Sequence, residues 1–348
     1  MMGGSRSLRA RAFLALAAAV VVFLVLASMN AESPQLSNWR KAPLQAQIAP
    51  LPGDSLYERA LVTLSNGRGL RAECGIQIPR SPGSHPGILI LAGRETGKHA
   101  IEYVTDVRNI VVIALDYGFE PRESYTFWTF MQDIPAMRRA ALDLVPSALM
   151  AMDYLRQRAD VDTSRLILLG YSFGAPLVPA IAAHDREIAA AAMAYGGGDL
   201  RSLIAHNFRR SQSALTSEFV GALAWLLLRP IEPMRYAAKL APMPLILVNG
   251  EQDELVPRRN TEMLYERALA PKRLVWLPSM HVNPENAELS HRVAIALRGE
   301  MLALGVLTPA NVPPDIGPKP GPPGSPREKY EGGGVPLDAA SKSGILRR

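Results

Sequence analysis

Residues 165–184 read RLILLGYSFGAPLVPAIAAH. The apolar run at 165–170 has the length and composition of a buried strand. It ends in Gly170-Tyr171-Ser172-Phe173-Gly174, and residues 173–183 then suit a helix. The order is strand, sharp turn, helix, with a serine at the turn. The two glycines have a steric reason. Such a turn forces the serine into a strained backbone conformation, and side chains two residues to either side would collide. The serine Oγ then stands at the carboxyl edge of a sheet, at the positive end of the helix dipole.

Outward from this point the chain keeps alternating. Residues 59–65 and 70–78 predict a hairpin around Asn66-Gly67. Apolar strands are expected at 87–92 and 109–115, then a helix at 134–158 in which Pro146 marks a break or kink. Residues 188–195 fit strand or helix. Strands at 244–249 and 273–277 enclose a helix at 258–269, and a last amphipathic helix covers 285–304. This is the pattern of an α/β fold, with a mostly parallel sheet of about eight strands flanked by helices.

An alcohol needs a base to act as a nucleophile at neutral pH, and the base needs an orienting acid. Asp253 follows the strand at 244–249, and His281 follows the strand at 273–277. Ser172, Asp253 and His281 thus each lie just past a strand's carboxyl end, where loops of a parallel sheet converge. Glu251 and Glu254 are alternatives in the acid loop, and Asp199 lies at an earlier strand end. Oxyanion donors are expected at the N–H of Phe173, which opens the helix, and at the N–H of Arg94 in the loop after 87–92. His291 reads as solvated within the last helix, and His184 and His206 as peripheral.

Residues 200–241 interrupt the alternation. Their core, FVGALAWLLL at 219–228, is apolar almost all round a helix and must be covered by something. An insertion there emerges at the carboxyl edge, so a small helical cap is expected, the alternative being a helix packed on the sheet's flank. Trp225 on its inner face, with Tyr171, would line an apolar acyl pocket.

The elbow, the strand order, Asp253-Glu254-Leu255-Val256-Pro257 after the penultimate strand and the late His281 resemble the α/β-hydrolase superfamily. The nearest likeness is to its dienelactone-hydrolase and prolyl-oligopeptidase-like branch, over about residues 55–305. The resemblance implies an α/β-hydrolase fold and a serine hydrolase of the carboxylesterase type. Two departures stand out. Dienelactone hydrolases use a cysteine nucleophile where this chain has Ser172, and Cys74 falls on the early hairpin. The loop after 87–92 starts Ala92-Gly93 where a His-Gly pair is common.

Composition removes other classes. With one cysteine in 348 residues, neither an internal disulfide nor a thiolate zinc site can form. None of the six histidines forms a His-x-x-x-His pair. The net charge of +6 lies at the ends: +4 on residues 1–41 and +2 on 306–348, leaving 42–305 neutral. A nucleic-acid binder carries its excess on the folded module, so none is expected. Neither a metal nor an organic cofactor is expected.

The ends themselves are legible. Three arginines precede an uninterrupted apolar run at 12–27, and polar residues follow. This is the layout of an export signal or an N-terminal membrane anchor, placed at 1–31. Residues 32–54 read as a linker, 55–307 as the hydrolase domain with its cap at 200–241, and 308–348 as a disordered Pro/Gly-rich tail. The expected partners are a small-molecule acyl substrate and, if the segment stays uncleaved, a membrane. The rival to an exported hydrolase is a catalytically silent envelope module on the same fold. The same triad also serves peptidases, thioesterases and acyltransferases.

Overall fold

Short, continuously apolar strands at the centre build one sheet with two buried faces. The computed structural model describes residues 31–93, 95–104, 107–119, 122, 127–283 and 285–313. Its strands are β1 (Gln45–Leu51), β2 (Tyr57–Ser65), β3 (Arg71–Pro79), β4 (His85–Leu91), β5 (Val111–Leu115), β6 (Val161–Tyr171), β7 (Ala190–Ala194), β8 (Leu245–Gly250) and β9 (Lys272–Leu277). The helices are α1 (Phe127–Arg156), α2 (Val178–His184), α3 (Leu200–Arg209), α4 (Ala214–Leu228), α5 (Arg258–Arg267) and α6 (Ala287–Ala303).

The strand order is β1-β2-β3-β5-β4-β6-β7-β8-β9. Pairs from β5 to β9 are parallel, and β1, β2 and β3 add antiparallel. From β4 the chain moves outward to β5, then returns to place β6 on β4's other side. That reversal opens a crevice at the carboxyl edge between β4 and β6, where open α/β sheets bind ligands.

Leu89, Leu91, Ile113, Leu166, Leu168 and Leu247 face one way, toward α1 and α2. Ile88, Ile90, Val112, Ile167, Leu169 and Ile246 face the other, where α6 packs through Leu289, Val293, Leu297 and Met301. With both faces covered, β4, β5, β7 and β8 are buried along their whole length. Helix α1 is continuous across Pro135 and Pro146, so Pro146 does not end it. Around it Leu142, Val145, Leu149 and Met152 are buried. Each contributes about 1.5–3 kcal/mol, which outweighs a proline cost of about 3 kcal/mol.

The sheet has nine strands rather than eight. The stretch read as a linker holds a 3-10 turn at Pro34–Ser37 and the edge strand β1. Strand β1 (QAQIAPL) is exposed at six of its seven positions and contains Pro50, so it lacks the alternation that reveals a strand. The turn is tied down by Ser33, bonded to Asp143, and by Arg40 on Asp153 at 2.9 and 2.7 Å. At the other end, the start of the supposed tail is packed. Asn311 is 3 % exposed and donates to Asn109 O at 3.0 Å, while Arg108 N–H donates to Asn311 O at 3.0 Å. The signal or anchor at 1–30, the remaining tail at 314–348 and Arg94 lie outside the described residues.

Candidate active site

Strand β6 ends at Tyr171, and Ser172 turns the chain with φ 48°. That left-handed conformation is costly for any residue with a Cβ. A Cβ on Gly170 would lie 2.7 Å from Ala175 Cα and 2.8 Å from Gly174 O. One on Gly174 would lie 2.2 Å from Leu91 O at the end of β4. Both positions therefore require glycine, and the chain leaves through a 3-10 turn, Ser172–Leu177, into α2. The N–H of Phe173 belongs to the first turn of this segment, whose amides have no intrahelical acceptor.

Ser172 Oγ lies 2.7 Å from His281 Nε2. His281 Nδ1 lies 2.8 and 2.9 Å from the two Asp253 oxygens. Asp253 also accepts from the backbone N–H groups of Leu255 (2.8 Å) and Val256 (2.9 Å), so its carboxylate is fixed independently of the histidine. The Asp253 side chain is 1 % exposed and that of His281 8 %. Their attraction is little damped by water. The three side chains come from the loops after β6, β8 and β9, along one edge.

The alternative acids do other work. Asp199, at φ 55°, caps α3 by accepting from Ser202 N–H. Glu254 accepts the His281 backbone N–H at 3.2 Å and so braces the His281 loop. Glu251 is exposed. His206 is not peripheral: its Nε2 lies 3.0 Å from Glu254 O, and neighbouring Asn207 donates to Leu255 O at 2.8 Å. Helix α3 thereby holds the acid loop. His291 is buried in α6 rather than solvated, at 8 % exposed, although it stands about 200° round the helix from the sheet-facing Leu289.

Tyr195, the residue after β7, escaped the sequence reading. It is fully buried at φ 56°, and its hydroxyl lies 2.6 Å from Ser279 Oγ. Its ring meets the His281 imidazole edge-on, with centroids 5.4 Å apart. Burial pushes the phenol's pKa up, so the group stays neutral. The signal available was positional: Tyr195 ends a strand at the same edge as Ser172.

The loop after β4 lies against the elbow. Tyr117 donates its hydroxyl to Ala92 O, and the Phe173 ring packs edge-on to Tyr117 at 5.1 Å. Lys98 bridges Glu73 at 2.7 Å and Asp116 at 2.9 Å beneath the loop, and it holds the Glu73 carboxyl below its ordinary pKa. Tyr171 is half-buried at the margin of the α6-side core.

The expectation for Trp225 needs correction. With Arg229, Glu232, Met234, Arg235 and Arg267 it lines a hollow of about 340 Å³ in which none of Ser172, Asp253 and His281 takes part. The Arg229 guanidinium lies over its ring at 5.2 Å. The cause is the helix's rotation: α4 packs inward through Ser217 and Gly221. A Cβ on Gly221 would lie 2.6 Å from Arg201 O and 2.9 Å from Ala205 Cβ. The small residues therefore seat α4 on α3, and Trp225 turns toward Arg229.

Residues 131–275 match the dienelactone hydrolase family. The uncharacterized protein YfhR of Escherichia coli K12 is 30 % identical over 129 residues, covering 37 % of this chain and 42 % of that protein. Its counterpart in Salmonella typhimurium is 32 % identical over 129 residues, covering 37 % and 44 %. The chain thus spans less than half the length of the curated relatives it matches. Among solved structures, acetyl xylan esterase 1 from Thermoanaerobacterium sp. JW/SL YS485 superposes with a TM-score of 0.59 at 14 % identity, over 80 % of this chain and 96 % of that one. The acetyl xylan esterase from Paenibacillus sp. R4 gives 0.56 at 16 %, over 78 % and 98 %. The fold is that of the α/β-hydrolases, and the dienelactone hydrolase match covers the stretch from α1 to β9, less than half of the chain.

Proposed function

We propose that the chain is an exported serine esterase that cleaves a small carboxylic ester through an acyl-enzyme. The observation that carries this reading is the unbroken chain from Ser172 Oγ through His281 to Asp253, built on a serine held at φ 48°. Ser172 attacks the ester carbonyl while His281 Nε2 takes its proton. The same nitrogen returns the proton to the departing alcohol. Asp253 keeps the Nδ1 proton in place and stabilises the imidazolium. The N–H of Phe173 and one from the loop after β4, at Arg94, stabilise the oxyanion. Water, activated by His281, then releases the acid. The apolar run at 12–27 carries the export or anchoring part of the proposal. The acetyl esters named for the two structural neighbours make short acyl groups the first substrates to test.

The test is a panel of acyl esters of graded length, given to the full chain and to Ser172→Ala. The wild type should turn over the short members, and Ser172→Ala should lose about 10⁴-fold or more while remaining folded. A folded wild-type chain that cleaves no ester, or a Ser172→Ala chain with wild-type turnover, contradicts the proposal.

A further inference from the structure

Helix α4 is turned the opposite way from an ordinary surface helix. Its small residues Ser217 and Gly221 are buried, while Leu215 is 83 % and Phe219 68 % exposed. Ala222 and Leu226 follow Phe219 at helical spacing and are half-buried, so the open apolar surface is centred on Leu215 and Phe219. Over Ala214–Ile231 the mean hydropathy is 1.3, yet only 22 % of the stretch is buried. Two large apolar side chains left open one turn apart cost free energy in water and mark a contact surface.

Two observations say what covers it. The first is where the chain enters. Arg138 of α1 donates through Nε to Leu227 O, near the end of α4, and through its terminal nitrogen to Ala31 O. The described chain therefore begins beside the end of α4, with the apolar run at 12–27 ending only four residues earlier in the sequence. The second is charge. Residues 200–235 carry five arginines (Arg201, Arg209, Arg210, Arg229 and Arg235) against Glu218 and the buried Glu232. Arg209 is paired with Glu218, while Arg210 and Arg235 stand exposed in the same segment. The run at 12–27 contains no acidic residue and offers these arginines nothing. A bilayer with anionic headgroups answers both features, since it takes apolar side chains at the acyl boundary and arginines at the phosphates.

We propose that α4 is a membrane-docking helix: it lies in the bilayer interface beside the N-terminal segment, with Leu215 and Phe219 inserted among the acyl chains. The hydrolase domain then sits on the membrane in one orientation, rather than hanging free from a tether. The proposal rests on the membrane reading of the N-terminal run, but not on the esterase reading.

Cys74 is fully buried, so a cysteine introduced at the surface is labelled selectively. Full-length Phe219→Cys, and separately Leu215→Cys, would carry a polarity-sensitive fluorophore and be reconstituted into vesicles of phosphatidylethanolamine and phosphatidylglycerol. Ile48→Cys, on the exposed edge strand β1, serves as the control. Brominated acyl chains should quench the 215 and 219 probes about twofold, with iodide protection appearing only when vesicles are present, and leave the 48 probe unchanged. A vesicle-bound chain whose 219 probe stays open to iodide overturns the docking while leaving the anchor intact. Iodide protection without bromolipid quenching assigns the face to the N-terminal run or a second copy, and equally overturns it. A chain that does not bind the vesicles at all removes the membrane reading together with the docking.

Discussion

The serine elbow and helix α4 break the same packing rule for opposite ends. At the elbow, Gly170 and Gly174 let backbone close on backbone, so that a polar side chain is pushed outward in a strained conformation. In α4, Ser217 and Gly221 let one helix close on another, so that large apolar side chains point outward. Small residues face the protein in both places, and what stands out is a hydroxyl in one and a phenyl ring in the other. They differ in support. Ser172 is embedded in a network that fixes His281, Asp253, Tyr195 and Ser279. Leu215 and Phe219 stand at the surface. Where a fold departs from local packing logic, function is the first place to look for the reason.

Substitutions can break this contrast in graded steps. The largest effect belongs to Asp253→Asn. Rotating the amide to accept from Nδ1 is not enough, because the wrong tautomer becomes available, and ester turnover should fall about 10⁴-fold in a folded protein. Asp199→Asn keeps a capping oxygen on α3 and should leave turnover near wild type. If the two results are exchanged, the acid has been misassigned. Next comes Gly174→Ala. Its methyl would meet Leu91 O at 2.2 Å, backbone against backbone, so unfolding in urea should show a loss of about 3 kcal/mol.

Gly221→Val tests the other seam. The collision with Arg201 O and Ala205 should cost about 1–2 kcal/mol, partly offset because valine suits a helix better than glycine. Ester turnover should hold unless α3, which braces the acid loop through His206 and Asn207, is displaced. The smallest effect is expected at Phe219→Ser, within about 0.5 kcal/mol in denaturant titration. A loss of several kcal/mol there would mean that the ring is packed in solution, and the contrast with the elbow would fail.

How much of this was legible depended on how each feature is encoded. Seven strands announce themselves through alternating or continuous apolar runs, while the small side chains of β7 fit strand and helix alike. Strand β1 gives no such signal, because an exposed edge with Pro50 imposes no alternation. Ser172, Asp253 and His281 could be found because each follows a recognisable strand, and a parallel sheet brings such ends together. Tyr195 also ends a strand, but its part is a contact with Ser279 and His281 that no spacing records. Trp225 was misplaced for a related reason. A helix apolar all round carries no phase, so the sequence shows that α4 exists but not which side it turns inward. Gly221 held that information, through the close approach only a helix partner could reveal.

The central claim is that Ser172 is an activated nucleophile. A fluorophosphonate probe followed by peptide mass spectrometry tests it without knowledge of the substrate. The account predicts one phosphonyl adduct, on Ser172, formed by the folded wild type, strongly slowed in Asp253→Asn and absent after unfolding. A folded wild-type chain that takes up no probe, or that carries it on another residue, would contradict it.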